Sequence, residues 1–346
     1  MTSYGQELRS TALAMVARGK GLLAIDESNG TCNKRFKKLD IPATEENRRA
    51  YRELILTTPH LADYINGLIL YDETIRQMTK EGTPFVQIIK NAGMIPGIKL
   101  DTGAKDLAGH QGEKVTEGLD LLRDRIAEYY EMGARFAKWR AVLTIGDKAP
   151  SDACIEANAH ALARYAALCQ EGGLVPIVEP EVLIDGEHTL ERCYQVTDKT
   201  LHSVFCQLYS QGVEFEQMVL KPNMVLAGQE CSQQSTPDAV AETTVKCLLK
   251  NVPAAVSGVA FLSGGQSSEK ASAHLSLMNE RFGDQCPWPL TFSYGRAIQQ
   301  PALDHWRGDS HQVSEAQQRL LHRAKCNSLA SLGKYSSTMD RERDRP

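Results

Sequence analysis

Five short apolar segments of this 346-residue chain carry charged side chains inside them or at their ends. They are Asp26 in "GLLAID", Lys99 in "IPGIKLD", Lys138 and Arg140 in "FAKWRAVL", Glu179 and Glu181 in "LVPIVEPEV", and Lys221 in "MVLKPNMV". Side chains two apart on a strand share a face, so Lys138 points with Arg140 and Glu179 with Glu181. A lysine in an apolar run loses the hydration its ammonium needs, and a second cation nearby disfavours that form further. Ordinary lysine, with a pKa of about 10.4, offers only about a few neutral amines in ten thousand at pH 7. Once neutral, a buried amine attacks a ketone, and a glutamate beside it can move the protons that dehydrate the adduct. The iminium that results withdraws electrons and permits C–C cleavage. Lys221, with a glutamate near it, therefore has the makings of a Schiff-base lyase. One charge at a strand end is commonly a solvated loop-edge residue or half of a structural ion pair. Five strands that repeat the feature point to a shared site.

Two further stretches suit anions. In "FLSGGQSSEKAS" (261–272), Gly264 and Gly265 let backbone N–H groups approach a ligand, Ser263 adds a hydroxyl, and a helix start follows. "FSYGR" brings Ser293, Gly295 and Arg296 at the end of another apolar run. The pair favours one phosphate. After the first segment, "DESNGTCNKRFKKL" offers Ser28, Thr31, Lys34 and Arg35 as a second clasp, with Lys37 and Lys38 read as solvated lysines.

These residues need a frame that brings strand ends together. Eight strand candidates run along the chain: 21–26, 65–71, 95–101, 136–143, 174–182, 218–225, 258–265 and 289–296. Helical patterns separate them. Val115, Leu119, Leu122 and Ile126 form one apolar stripe in 115–132, and Ile155, Ala159, Leu162 and Ala166 another. Thr236-Pro237 opens a third helix with a capping hydroxyl and a proline in the first turn. Eight alternating β/α units predict an α/β fold, a single-domain (β/α)₈ TIM barrel over 1–335, with the charged ends converging at its C-terminal mouth. An open dinucleotide-binding sheet is disfavoured, because no G-x-G-x-x-G occurs. Residues 336–346 read as a polar, mobile tail.

The formal net charge is −4, which gives no general affinity for nucleic acid or an anionic membrane. Nine scattered cysteines without a C-x-x-C pair suggest reduced thiols in a cytoplasm. Nine dispersed histidines, with no H-x-H or H-E-x-x-H, offer no metal cage, so neither metal nor cofactor is expected.

Taken together, "GLLAIDES", "TEENRRAYRELI", "PGIKLD", "FAKWRAV", "PIVEPEVL.DGEH", "LKPNMV", "FLSGGQS", "TFSYGRA" and "NSLASLGKY" resemble class I fructose-bisphosphate aldolase. They fall in order across nearly the whole chain. The resemblance implies reversible cleavage of fructose 1,6-bisphosphate to dihydroxyacetone phosphate and glyceraldehyde 3-phosphate. The resemblance leaves open another sugar phosphate, such as sedoheptulose 1,7-bisphosphate, as the substrate instead or as well. It implies Lys221 as the Schiff-base residue, Glu179 as main acid/base, and Asp26, Lys138 and Glu181 as assistants. Ser263, Gly264, Gly265, Gly295 and Arg296 then match a C1-phosphate site. Lys34, Arg35 and Lys99 match a C6-phosphate region, with Ser28 and Thr31 beside it; Thr31 stands where the animal enzymes carry serine. A homo-oligomer, tetrameric in much of the family, is implied as well. One departure stands out: the animal and plant enzymes close with tyrosine, whereas this chain ends "RERDRP" and its last tyrosine is Tyr335.

Overall fold

A computed structural model describes residues 4–342, with side chains up to Asp340. Ten strands form: β1 Gly21–Ala24, β2 Ile65–Leu70, β3 Ile95–Lys99, β4 Gly103–Asp106, β5 Lys114–Glu117, β6 Phe136–Leu143, β7 Val175–Val182, β8 Val219–Leu220, β9 Val259–Phe261 and β10 Leu290–Tyr294. Eight close a parallel barrel in the order β1-β10-β9-β8-β7-β6-β3-β2. Leu22 opposite Ser293 and Gly21 opposite Ile65 complete the ring around β1. Helices lie between the strands, and each of the eight strand candidates contributes one stave.

The alternation of side chains decides what faces inward. Leu22, Ala24, Ile69, Phe136, Val175, Ile177, Val219 and Ala260 form an apolar plug in the barrel. Leu8, Ala12 and Met15 of the helix Gly5–Met15 pack onto it. Phe136 fits because its neighbours have no side chain: a Cβ on Gly97 would sit 2.2 Å from its ring, and one on Gly67 2.9 Å. Counting onward by two from this plug gives Asp26, Lys138 and Arg140, Glu179 and Glu181, and Lys221. The same face that packs the floor of the barrel thus carries the charges at its mouth. Some strands end early by hydrogen bonding, yet the ladder continues: Ile25 N–H donates to Ile69 O (3.0 Å) and Lys221 N–H to Val178 O (2.8 Å).

The expected helix over 115–132 is shorter, Leu122–Met132. Val115 lies instead in the antiparallel hairpin β4–β5, where Lys105 pairs with it. Thr116 Oγ1 donates to Arg140 O (2.8 Å) and Thr116 N–H to Asn158 Oδ1 (3.1 Å), which pins the hairpin beside β6. Gly118 at φ 127° and Leu121 at φ 54° then break any helical continuation. The stripe from Ile155 lies in the helix Asp152–Glu171, which Ser151 caps, and Thr236 caps Pro237–Asn251 as read. The polar tail begins as a short helix, Thr338–Glu342, in which Asp340 is bound by Arg323 (2.5 Å) and by the Tyr335 hydroxyl. Residues 343–346 of that tail lie outside the described residues. No described helix is long and apolar enough to cross a membrane.

Candidate active site

The mouth of the barrel opens into a cavity of about 480 Å³. Every candidate residue lines it except Gly265, which sits behind Gly264 and close to the Arg296 guanidinium. At its floor Lys138 Nζ lies 2.7 Å from Asp26 Oδ2 and 3.3 Å from Glu179 Oε2. Lys221 Nζ lies 3.2 Å from Glu179 Oε1. Glu179 therefore bridges two lysines with one oxygen each. All three are almost sealed from solvent, with Lys138 4%, Glu179 3% and Lys221 3% exposed. Such charges persist at this depth only as a mutually compensating set.

Burial is the largest influence on Asp26 and pushes its carboxyl up. Lys138 first, then Lys221 and Lys99, outweigh it and hold Asp26 at about 2. Burial likewise pushes the Lys138 ammonium toward neutrality, but Asp26 and Glu179 more than offset this and raise it above the ordinary lysine value. Lys138 is thus a fixed cation next to Lys221. Nearer the rim, Lys99 is paired with Asp101 Oδ1 (2.6 Å) and Arg140 with Glu181.

The candidate anion-binding elements divide into unpaired and committed groups. Ser263–Gln266 is a turn closed by Gln266 N–H on Ser263 O (3.0 Å), with Gly264 at φ 55° and Gly265 at φ 87°. Two consecutive positive φ values suit glycine, and the two glycine N–H groups donate to nothing among the described residues. Ser293 is 1% exposed, and among the described residues its Oγ has no partner and Arg296, at the start of the helix Arg296–Trp306, makes no ion pair. On the opposite wall Ser28 caps the helix Asn29–Lys37 and contacts Thr31 Oγ1 at 3.1 Å.

Arg35 differs from its neighbours. Its guanidinium is bound to Glu27 (2.5 Å), Gln299 (3.2 Å) and Gln300 (3.2 Å), and Glu27 is shared with buried Arg52 (2.9 Å). Burial alone would raise the Glu27 carboxyl; Arg52 and Arg35 bring it below the usual carboxylate range. Among the described residues, the cations on this wall that make no ion pair are Lys34 and Lys38. Lys38, read as a solvated lysine, is exposed and also lines the cavity. Glu27 and Asp101 also line it and were legible only in part: Asp101 stands two after Lys99, on the same face, and Glu27 adjoins Asp26.

Potential metal ligands lie elsewhere. Among the described residues one group, His322, Cys326 and Asp340, approaches within 4.8 Å, and its carboxylate is already held by Arg323 and Tyr335. The cavity itself is lined by no histidine or cysteine.

Residues 7–345 match the family model described as fructose-bisphosphate aldolase class-I. The chain belongs to the class I fructose-bisphosphate aldolase family. It is 59% identical to a probable fructose-bisphosphate aldolase class 1 of Xanthomonas campestris, over 95% of this chain and 98% of that one. It is 51% identical to a cytosolic fructose-bisphosphate aldolase of Arabidopsis thaliana, over 95% and 84% of the two chains. A solved fructose-bisphosphate aldolase of Plasmodium falciparum, in complex with TRAP and a small-molecule inhibitor, superposes with a TM-score of 0.94 at 48% identity, covering 96% of each chain. Fructose-bisphosphate aldolase activity, that of a lyase, goes with this membership. An aldolase site must hold a phosphorylated ketose and move protons beside it, and the cavity offers free cations above a buried lysine–carboxylate cluster.

Proposed function

We propose that Lys221 carries the aldol cleavage as a Schiff-base nucleophile, without a metal. The observation that supports this most is Glu179 held between Lys221 and Lys138 on the sealed floor of the cavity. The Lys221 amine adds to the C2 ketone of fructose 1,6-bisphosphate, and Glu179 hands a proton to the departing hydroxyl, so that water leaves and an iminium remains. Removal of the C4 hydroxyl proton breaks C3–C4 and releases glyceraldehyde 3-phosphate; the electron pair moves into the iminium and leaves an enamine. Protonation at C3 and hydrolysis return dihydroxyacetone phosphate and the free amine. Asp26, Lys138 and Glu181 keep the charge of this cycle balanced. Tyr335, bound to Asp340, does not line the cavity. Among the described residues, the groups on its floor are the ones placed to deliver the proton to C3.

Two phosphates bound at opposite walls explain the free donors on each side. Ser263, Gly264, Gly265, Ser293, Gly295 and Arg296 take the C1 phosphate, and Lys34 and Lys38, with Ser28, Thr31 and Lys99, the C6 phosphate. Arg35, which also lines the cavity, is engaged by Glu27 and braces that wall. Sedoheptulose 1,7-bisphosphate presents the same two ends, and this reading extends to it. The physiological setting is glycolysis and gluconeogenesis, with the Calvin cycle where the seven-carbon sugar is used. A cytoplasmic, homo-oligomeric protein, tetrameric as in much of the family, completes the reading; the name of the Arabidopsis relative, cytosolic, supports its location.

Turnover of fructose 1,6-bisphosphate should survive EDTA. Activity lost on chelation and restored by Zn²⁺ would sink the Schiff-base reading. The phosphate assignment is checked separately. Arg296→Ala should lower kcat/KM for fructose 1-phosphate and the bisphosphate alike, by about ten- to a hundredfold for a lost charge-assisted contact. Lys34→Ala and Lys38→Ala should reduce only the bisphosphate. Arg35→Ala should weaken both substrates together; a selective loss of the bisphosphate there would make Arg35 a ligand after all.

A further inference from the structure

One chain of hydrogen bonds behind the glycine turn has no part in the chemistry above. His274 lies on the helix Ser268–Phe282, is 6% exposed and does not line the cavity. Its Nδ1 is 2.7 Å from Gln266 Oε1. The amide nitrogen of Gln266 faces Ser263 O (3.1 Å) and the Met224 sulfur (3.5 Å), so the end turned to His274 is the oxygen. An amide oxygen only accepts, and the histidine proton therefore sits on Nδ1. Ser263 O in turn receives two donors from one residue, Gln266 N–H and Gln266 Nε2.

The glycines make this bracing matter. Gly264 and Gly265 have no Cβ to restrict them, and ordering such a turn around a ligand costs conformational entropy at the moment of binding. A turn already held at Ser263 O spares the ligand that cost. The rest of the segment is tied down as well. Gln229 donates to Gly265 O (3.2 Å), and Leu262 N–H to Pro222 O (3.1 Å), the residue after Lys221. Among the described residues, Gln266 is the one tie that depends on a partner from the following helix, and that partner is His274.

We propose that His274 is a positioning residue for the phosphate-binding turn: through Gln266 it fixes Ser263–Gly265 in the form that presents two free N–H groups to the C1 phosphate. This rests on the assignment of that turn to the C1 phosphate. Burial, then the Lys270 ammonium, push the His274 imidazole down to about 4, so near neutral pH it stays uncharged while still donating from Nδ1.

The experiment compares His274→Leu, which removes the donor, with His274→Asn, whose amide nitrogen takes the place of Nδ1. Three quantities are read: KM and kcat for fructose 1,6-bisphosphate, the inhibition constant of inorganic phosphate, and borohydride trapping of unphosphorylated dihydroxyacetone on Lys221. In His274→Leu, KM and the phosphate inhibition constant should both rise about tenfold, the loss of one buried hydrogen bond with its ordering effect, with kcat within about twofold. Dihydroxyacetone trapping should be unchanged, and His274→Asn should restore phosphate binding. Gln266→Ala should reproduce the pattern, and the double variant should be no worse than either single one, because both cut the same link. Phosphate inhibition unchanged in folded His274→Leu, or in Gln266→Ala should His274→Leu fail to fold, overturns the proposal. So does a parallel fall in dihydroxyacetone trapping, which marks general damage. If the wild-type protein traps nothing at Lys221, the Schiff-base reading has failed instead, while the phosphate constants still decide the role of His274.

Discussion

Lys221→Met should leave a folded protein whose turnover is lower by on the order of 10⁴-fold or more, the usual consequence of removing a covalent nucleophile. Methionine matches the length of the lysine stem and fills the same buried space, so no cavity opens. Glu179 keeps Lys138 as a partner at 3.3 Å, so no carboxylate is stranded. Stability and activity should therefore separate cleanly, with the melting temperature near that of the parent. The parent protein incubated with dihydroxyacetone phosphate and borohydride should carry the adduct on the peptide containing Lys221. Lys138 is a poor rival because Asp26 and Glu179 stabilise its ammonium form. Lys99 is held by the Asp101 carboxylate and by its carbonyl (2.9 Å). An adduct on either, or none at all, removes the nucleophile assignment.

Much of this arrangement could be read from spacing. Strands reveal themselves by period two, and the inward set Leu22, Ala24, Asp26 or Val175, Ile177, Glu179, Glu181 is visible as apolar residues giving way to charges along one face. That made the barrel and its charged mouth legible together. The hairpin β4–β5 was not, because Val115 and Leu119 fall by chance at a helical spacing. What fixes that hairpin is long-range, the bonds of Thr116 to Arg140 and Asn158. The commitment of Arg35 and the place of Lys38 were hidden for a related reason. Both belong to one run of basic residues, and nothing local says that Glu27, Gln299 and Gln300 will claim the first and leave the second free. Charge type is local information, but which charges are already satisfied depends on partners up to 265 residues away.

Lys138→Met should have the opposite character to the Lys221 change and damage the fold itself. It removes the only cation within ion-pair distance of Asp26 among the described residues, and one of the two that hold Glu179. Taking one partner from a buried ion pair costs about 3–5 kcal/mol, because the other charge stays buried. The pH dependence tests this cause against simple loss of packing. In the parent protein Asp26 titrates at about 2 in the folded state, below its unfolded value of 3.8. A depressed carboxylate contributes stability that is present above the unfolded value and lost as pH falls through the folded one. For Asp26 that contribution is about 2.5 kcal/mol, lost between roughly pH 4 and pH 2. Without Lys138 the burial of Asp26 loses its main opponent, and the folded-state value moves up. Protonation then relieves the variant at a higher pH than the parent, so the difference between the two should shrink as pH is lowered. Urea unfolding of both proteins at steps from pH 7 to pH 3 would follow this difference directly. Its narrowing by about 1 kcal/mol or more would trace the defect to the Asp26 carboxylate. A large defect that stays constant across that range would mean that it does not arise from the Asp26 carboxylate, which then owes its low value to Lys221 and Lys99.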